Sequence, residues 1–285
     1  MSYLTEADVA RIRTYANDIR QTVVTMLARA GSGHTAGSLG MADIFAALFF
    51  HTLNHRPHEP EWEERDRLIL SNGHIAPVRY AAMAHAGYFP IEETETLRQF
   101  GSRLQGHPER TRLPGLETTS GPLGEGLGQA AGIALGARMD ARTLRVYCAM
   151  SDGEQQSGIT WESVMFAGKN KLANLTAILD RNTIQIGGST EEVMPLEPLR
   201  EKYEAFNWHV VEVDGHDIEM VCDALNQAKE YTDGPTCVIA HTVPGKGIAE
   251  IEGDYRWHSK APSDEEATRW LKELRQARTA LASDE

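Results

Sequence analysis

The chain has 285 residues, of which 41% are apolar, and its 28 basic and 41 acidic side chains give a formal net charge of −13. This length fits one large domain with a substantial core, and the acidic balance without a long basic run argues against nucleic acid and anionic membranes as partners. The three cysteines, Cys148, Cys222 and Cys237, lie far apart without metal-binding spacing, which predicts buried, unreactive thiols and a cytoplasmic location.

The N-terminal third of the chain is predicted to be mainly helical. Its first residues show neither the basic flank nor the apolar segment of a secretory signal, and no apolar run approaches the roughly 20 residues of a membrane span. Thr5 and Asp8 resemble a capping box at the start of a long amphipathic helix over residues 6–29. The elements predicted next are an apolar helix over 41–51, a short strand over 67–71 and a helix over 75–86.

The rest of the chain alternates between predicted strands and helices. Residues 101–122 contain many turn formers, and a loop of that length inside a domain is usually functional or disordered. A helix rich in glycine and alanine is predicted over residues 123–139. The remaining elements are predicted to be strand 143–150, helix 159–171, strand 175–180, helix 197–206, strand 208–213, helix 217–231, strand 236–241, loop 242–262 and helix 264–282.

This alternation predicts the fold class. Strands that alternate with helices form a doubly wound, mostly parallel α/β sheet with helices on both faces. The sequence contains no internal repeat, low-complexity tract or linker. Residues 1–285 are therefore expected to form a single domain that closes with a loop and a helix over 242–285.

Polar residues follow two successive predicted strands. Asp152 and Gly153 come after the strand over 143–150, and Asn182 comes after the strand over 175–180. Right-handed crossovers bring both loops to the same edge of a parallel sheet. Aspartate and asparagine oxygens suit Mg²⁺, and a glycine lets the backbone approach an anion closely. The pattern predicts a metal-bridged diphosphate, although an aspartate after a strand is often only a turn or cap residue.

A glycine-rich segment over Gly121–Gly128 is a second candidate for anion binding. Pro122 fits the first turn of a helix, and the glycines would bring backbone N–H groups close to a phosphate. The segment is not a Walker loop, since no Lys-Ser/Thr pair follows, and it does not follow a strand as a Rossmann fingerprint does. Close packing of the helix is the alternative explanation.

Four histidines lie in turn-rich segments. They are His34, His74, His107 and His258. Any one of them alone is readily explained as a structural or surface residue. Together they favour a polar catalytic cavity, because a neutral imidazole donates, accepts and transfers protons near pH 7.

These motifs, in chain order, resemble the signatures of the transketolase family. The matching segments are SGHTAGSLGMAD (Ser32–Asp43), LSNGH (Leu70–His74), GHP (Gly106–Pro108), GPLGEG (Gly121–Gly126) and SDG (Ser151–Gly153) with Asn182. The resemblance extends from about residue 10 to residue 265. It implies the diphosphate-binding domain, or PP domain, of an enzyme that depends on thiamine diphosphate and Mg²⁺.

The resemblance also implies roles for individual residues. Mg²⁺ would be bound by Asp152, the Asn182 side chain and the backbone carbonyl of Ile184. The diphosphate would be contacted by Gly153, Asn182, His74 and His258. The rest of the cofactor, near its aminopyrimidine, would lie along Gly121, Pro122 and Leu123, which replaces the interpretation of this segment as a phosphate loop. The sugar and the reactive carbon of the cofactor would face His34, His107 and His258.

The implied function is that of a transketolase subunit, which moves a two-carbon ketol unit from a ketose or ketose phosphate to an aldose or aldose phosphate. The pyrimidine-binding half, with the family's activating glutamate, would belong to a separate partner chain, in an assembly expected to be α₂β₂. One alternative is a subunit of another split thiamine diphosphate enzyme, similar to deoxyxylulose-phosphate synthase. The other alternative is a non-catalytic subunit that only binds a partner.

The sequence departs from the family pattern at several positions. Ser151 replaces the first glycine of Gly-Asp-Gly, a small change that is expected to preserve metal binding. Ser157 stands where the family commonly has a glutamate that is associated with communication between the active sites of the dimer. The resemblance therefore does not extend to that communication. Thr35 and Ala36 replace a common Pro-Gly pair beside His34. His258 aligns with the family histidine only if one residue of spacing is allowed.

Overall fold

The structure is a computed structural model that describes residues 4–283. Its central element is a sheet of five parallel strands in the order β1-β2-β3-β7-β6. The strands are β1 (Arg67–Leu70), β2 (Val146–Ser151), β3 (Leu175–Arg181), β6 (His209–Asp214) and β7 (Thr236–His241), and a separate antiparallel hairpin consists of β4 (Ile184–Gln185) and β5 (Gly188–Ser189).

Ten α-helices accompany the strands in the described part of the chain. They are α1 (Glu6–Ala30), α2 (Thr35–Gly40), α3 (Ala42–Ala47), α4 (Ala76–His85), α5 (Glu125–Met139), α6 (Gly158–Lys169), α7 (Thr190–Val193), α8 (Leu199–Ala205), α9 (Ile218–Glu230) and α10 (Asp264–Ser283). Short 3₁₀ turns and one π turn connect some of these helices.

The sheet is covered on both faces. Side chains alternate along each strand, so Tyr147 and Ala149 of β2 enter one core, whereas Val146, Cys148 and Met150 enter the other. Helices α1 to α4, α9 and α10 supply the first core, and α5, α6 and α8 supply the second. The predicted doubly wound α/β sheet is confirmed, and all five of its strands are parallel.

The N-terminal helices agree only partly with the sequence prediction. Helix α1 begins at the predicted capping box, in which Thr5 accepts from the backbone of Asp8 and Asp8 accepts from the backbone of Thr5. The helix predicted over 41–51 corresponds to α3 and the π turn over Leu48–Thr52 that continues it, whereas α2, which begins at Thr35, was not predicted. The missing side chain of Gly40 at the end of α2 allows close packing, since an added Cβ would lie 3.0 Å from the carbonyl oxygen of Val243.

The connection between β2 and β3 has the predicted βαβ form. Strand β2 pairs directly with β3, and Ser151 lies opposite Asp180 at their carboxyl ends. The loops that follow these strands therefore emerge side by side at one edge of the sheet. The hairpin of β4 and β5 and the short helix α7 come next, and the sequence prediction contains none of these three elements.

All three cysteines are free and buried, as predicted. Burial raises the pKa of each thiol, to about 12 for Cys222, and so suppresses the reactive thiolate. None of the helices between residues 4 and 283 is both long enough and apolar enough to cross a membrane.

Candidate active site

Asp152 lies at the carboxyl end of β2 and is almost fully buried, with 1% of its surface exposed. Its Oδ2 atom accepts hydrogen bonds from the backbone N–H of Thr183 at 2.8 Å and from Nη1 of Arg181 at 3.1 Å. Burial raises the pKa of Asp152 to about 6, and the hydrogen bond from Thr183 and the charge of Arg181 oppose that rise. A buried carboxylate held in this way is suited to a bound cation.

The Asn182 side chain is fixed by its neighbours on β3 and in the loop after it. Its Nδ2 donates to Oδ2 of Asp180 at 2.8 Å, and its Oδ1 accepts from the backbone N–H of Ile184 at 3.1 Å. Asp180 is buried and also accepts from the hydroxyl of Thr242, and desolvation raises its pKa to about 7. Asp180 thus fixes the orientation of the carboxamide.

These donors have the chemistry that Mg²⁺ requires. Asp152 supplies a carboxylate, Asn182 a carboxamide oxygen and Ile184 a backbone carbonyl from the same loop edge. Among the described residues no group of three or more His, Cys, Asp or Glu side chains is placed to hold a metal. A site built on one aspartate, one asparagine and a carbonyl suits an octahedral ion that keeps the other half of its coordination for phosphate and water. The residues present fit the implied ion.

Three of the four candidate histidines form a cluster. The ring centroids of His34 and His74 are 5.0 Å apart, those of His34 and His258 are 5.5 Å apart, and those of His74 and His258 are 5.2 Å apart. His34 precedes α2 and His74 follows β1. His258 follows a 3₁₀ turn in the loop after β7, and Thr35 holds that loop by donating to the carbonyl of Lys260 at 2.5 Å.

Burial keeps the clustered imidazoles neutral. Desolvation, followed by the nearby His258, lowers the pKa of His34 to about 4. Desolvation also lowers the pKa of His74 and of His258. The Nδ1 atom of His34 is buried without a hydrogen-bond partner in the described chain. An unsatisfied imidazole nitrogen in such a cluster is available to a polar ligand.

His107 lies at the rim of the same region, in the predicted long loop. It lines an open cavity of about 410 Å³ together with Arg98 and Ser120. A Cβ added to Gly121 would lie 4.0 Å from Cδ2 of His107, so the histidine faces the glycine-rich segment. The charge of His107 also contributes to the lowered pKa of His34 and of His74. His107 thus lies in the neighbourhood of His34 and His74.

Gly121, Pro122 and Leu123 form a loop and not the start of a helix. Helix α5 begins at Glu125, after Gly124 with φ of 89°, so the predicted start at residue 123 is wrong by two residues. The loop packs tightly on the residues after β1, because a Cβ on Gly73 would lie 2.5 Å from Oγ of Ser120. Leu123 is 42% exposed. The segment borders the histidines and the Asp152 loop without being buried by them.

Several side chains around the site were not identified from the sequence. Asp43, which is buried, pairs with Arg20 and accepts from Nδ1 of His216 at 2.7 Å. The Nε2 atom of His216 accepts from the backbone N–H of Val243 at 2.7 Å. This network anchors the beginning of the loop that carries His258. Asp43 ends the motif over Ser32–Asp43, but no spacing rule links it to His216, which lies more than 100 residues away in the sequence.

The chain matches one known protein family over nearly its whole length. The family model described as "Transketolase, thiamine diphosphate binding domain" matches residues 12–278. The chain belongs to the transketolase family. This family binds thiamine diphosphate together with a divalent metal ion such as Mg²⁺.

The relatives of this transketolase chain include proteins of about the same length and proteins that are more than twice as long. The 6-deoxy-6-sulfo-D-fructose transketolase subunit SqwG from Clostridium sp. (strain MSTE9) is 42% identical over 250 residues, which cover 88% of this chain and 91% of that protein. One of the apulose-4-phosphate transketolase subunits, from Phocaeicola vulgatus, is 37% identical over 255 residues, which cover 90% of each chain. Rat transketolase is 40% identical, and the chain spans only 40% of its length.

Solved structures show the same relation. The transketolase from Leishmania mexicana superposes with a TM-score of 0.86 at 30% identity, covering 96% of this chain but 45% of that one. The predictions of the family, the thiamine diphosphate-binding fold, the cofactor and the enzyme class are confirmed. The comparisons do not favour the two alternatives, which were a subunit of another split thiamine diphosphate enzyme and a non-catalytic subunit.

Proposed function

We propose that this chain is the N-terminal subunit of a split transketolase and works with a second chain that carries the pyrimidine-binding half. The observation that carries the proposal is that His34, His74 and His258 cluster together, while Asp152 and Asn182 follow the adjacent strands β2 and β3 at one edge of the sheet. Residues 1–285 are proposed to act as one PP-type domain. Its transfer of a two-carbon ketol unit would take place in the cytoplasm.

The loops after β2 and β3, which carry Asp152 and Asn182, are proposed to hold the metal and the diphosphate. Asp152, Asn182 and the carbonyl of Ile184 would bind Mg²⁺, and Gly153 would let the backbone approach the diphosphate. The remaining contacts to the cofactor would come from His74, His258, Gly121, Pro122 and Leu123. When bound, thiamine diphosphate supplies the electron sink that allows a carbon–carbon bond next to a carbonyl to break.

The histidines are proposed to handle the sugar. His34, His107 and His258 would bind sugar hydroxyls and move protons on and off their oxygens. Neutral imidazoles are suited to this work because each ring has one donating and one accepting nitrogen. A positioned group of this kind typically contributes roughly 100- to 10,000-fold to a rate. The lowered pKa values of all three residues keep them in that neutral state near pH 7.

The mouth of the site is proposed to be the contact with the partner chain. Exposed apolar side chains are proposed to border the mouth, next to the polar residues of the cofactor site. We call this set the apolar rim: Leu123, Ile159, Ile186, Val193 and Met194. The chain spans 40% of a full-length transketolase, and its relatives of matching length are named as subunits, which supports a second polypeptide for the remainder. An α₂β₂ assembly, in which each site lies between unlike chains, would cover the rim.

The substrate class is proposed to be an anionic sugar. The two relatives of matching length carry names that contain a sulfo sugar, 6-deoxy-6-sulfo-D-fructose, and a sugar phosphate, apulose-4-phosphate. Substrates of the same chemical class, anionic ketoses as donors and aldoses as acceptors, are proposed for this chain.

The metal assignment is tested by replacing Asp152. In the complex with the partner chain, Asp152→Ala is expected to abolish Mg²⁺-dependent binding of thiamine diphosphate, because it removes the charged ligand. Calorimetric titration with and without Mg²⁺ measures this effect. The matched control is Asp233→Ala, an exposed aspartate at the opposite end of the strands, which should bind normally. Unchanged cofactor affinity in Asp152→Ala would refute the assignment.

A further inference from the structure

Glu154 is a buried acidic residue two positions after Asp152, with 1% of its surface exposed. Its Oε1 accepts from the backbone N–H of Ser151 at 2.6 Å. Its Oε2 accepts from Oγ of Ser71 at 2.5 Å and from the backbone N–H of Gly124 at 2.7 Å. Three donors thus converge on one carboxylate, and they come from three separate parts of the sequence.

Each donor lies in, or directly before, a different loop of the proposed cofactor site. Ser71 directly precedes the turn that carries His74, and Gly124 closes the loop of Gly121, Pro122 and Leu123. Ser151 directly precedes Asp152. The backbone carbonyl of Glu154 also accepts from the hydroxyl of Thr160 at 2.8 Å, which fixes the first turn of α6. The carboxylate therefore lies at the point where all three loops meet.

Ser71 extends this arrangement to helix α5. Its Oγ donates to Glu154 and also accepts from the backbone N–H of Gly126 at 3.1 Å. The approach is close, since a Cβ added to Gly126 would overlap the side chain of Ser71. The first turn of α5 and the end of β1 are therefore held at a fixed separation by one hydroxyl and one carboxylate.

The energetics of Glu154 indicate that this geometry is specific. Its carboxylate is withdrawn from water, and the hydrogen bonds from Ser71, Ser151 and Gly124 replace those that water would make. Removing an acceptor from such a group leaves buried donors unsatisfied, which is more harmful than losing an exposed hydrogen bond. A residue needed only for core packing would be apolar at this position, because an apolar side chain avoids the desolvation of a carboxylate.

We infer that Glu154 is a positioning residue, which sets the separation of the His74 turn, the Gly121–Leu123 loop and the Asp152 loop so that they bind one thiamine diphosphate together. It does so without touching the cofactor. The inference rests on the proposed function, because it concerns the arrangement of the same site. It assigns the site's geometry to a residue that no candidate motif included.

The first test is Glu154→Gln in the complex with the partner chain. In either orientation the new amide NH₂ would face a donor, either the N–H of Ser151 or the Ser71 and Gly124 pair. We expect thiamine diphosphate affinity in saturating Mg²⁺ to fall roughly tenfold, as for other residues that orient ligands from behind. The control is Glu201→Gln, an exposed glutamate on α8, which should bind like the wild type.

The second test is Ser71→Ala, alone and combined with Glu154→Gln. If both residues act through one network, the double variant should lose about as much affinity as the weaker-binding single variant, and not the sum of the two losses. A purely structural role would lower the melting temperature of the complex and leave cofactor affinity within about twofold of the wild type. That result in folded Glu154→Gln would overturn the inference.

Two further outcomes are also decisive. If Glu154→Gln does not fold, the inference is tested by Ser71→Ala alone, because this variant removes one donor and keeps the carboxylate. Unchanged affinity of Ser71→Ala for thiamine diphosphate would then overturn the inference. Failure of the wild-type complex to bind thiamine diphosphate would instead overturn the proposed function.

Discussion

The imidazole of His34 illustrates how the fold changes a residue's chemistry. In water a histidine is partly protonated near pH 6.5, but desolvation and the neighbouring His258 lower the pKa of His34 to about 4. The same residue directly precedes α2, where its backbone carbonyl accepts from the hydroxyl of Ser38 at 2.7 Å. Its neutral form is therefore maintained by burial and neighbouring charge, and its position is maintained by the helix that follows.

The titration of His34 can be measured directly. In NMR spectra of the isotope-labelled chain, the His34 ring resonances are expected to titrate near pH 4, whereas the exposed His58 serves as the surface reference. Between the lowered pKa and the value of 6.5, the unfolded state binds more protons than the folded state. The free energy of unfolding therefore falls as the pH drops through this window.

A variant isolates this contribution from those of other groups. His34→Asn should lose less stability than the wild type between pH 6.5 and about pH 4 in urea unfolding, because it lacks the group that takes up the proton. A His34 midpoint near 6.5, together with equal losses in both proteins, would contradict the description of a buried, neutral imidazole.

At the scale of elements, the sheet was largely predictable from the sequence. The strand over 236–241 agrees with the observed β7, and the other strands of the main sheet agree within a few residues, because short apolar runs between turn formers are a local signal. Helix α2 was missed because it is short and lies in a turn-rich segment, although Gly40 at its end permits close contact with the loop after β7. The hairpin of β4 and β5 was missed because each strand has only two residues.

The candidate site shows the same division between local and distant information. Asp152 and Asn182 could be found because each follows a strand, and adjacent parallel strands end at one edge. Glu154 and Asp180 could not be assigned, since their partners, Ser71 and Thr242, are more than 60 residues away in the sequence. Their importance follows from three-dimensional contacts that no spacing rule encodes.

Two glycines in neighbouring helices offer a test of packing. A Cβ on Gly168 in α6 would overlap the carbonyl oxygen of Phe206, whereas a Cβ on Gly132 in α5 meets nothing within 4 Å. Gly168→Ala is therefore expected to destabilise the chain by about 2–3 kcal/mol through overpacking. Gly132→Ala should stabilise it by about 0.5–1 kcal/mol through helix propensity. Urea unfolding measures both changes, and equal effects would show that α6 does not pack as described.

At the scale of the whole molecule, the net charge opposes the binding of an anionic cofactor. The chain carries a formal net charge of −13, yet its family binds a diphosphate. Local features resolve the conflict: Arg181 neutralises Asp152, the clustered imidazoles are neutral, and the loop edge offers donors for a cation. Cofactor binding should therefore depend on a divalent metal and not on a general electrostatic attraction.

The apolar rim gives a prediction about assembly. Ile186 is 71% exposed beside the proposed metal site, and Ile186→Asp is expected to weaken association with the partner chain by roughly 100-fold, as for a central interface residue. Met139 at the far end of α5 is 78% exposed, so Met139→Asp is the matched control and should associate normally. Light scattering and titration of mixed chains measure both. Equal association of the two variants would exclude the rim as the contact.

The burial of all three native thiols has a practical consequence. Maleimide and other alkylating reagents attack thiolates at the surface, so the folded chain should resist them without any cysteine being removed. A single cysteine introduced on an exposed loop would then carry a fluorophore or spin label at one known place. Docking of the second polypeptide could be followed from that probe in an otherwise unaltered protein.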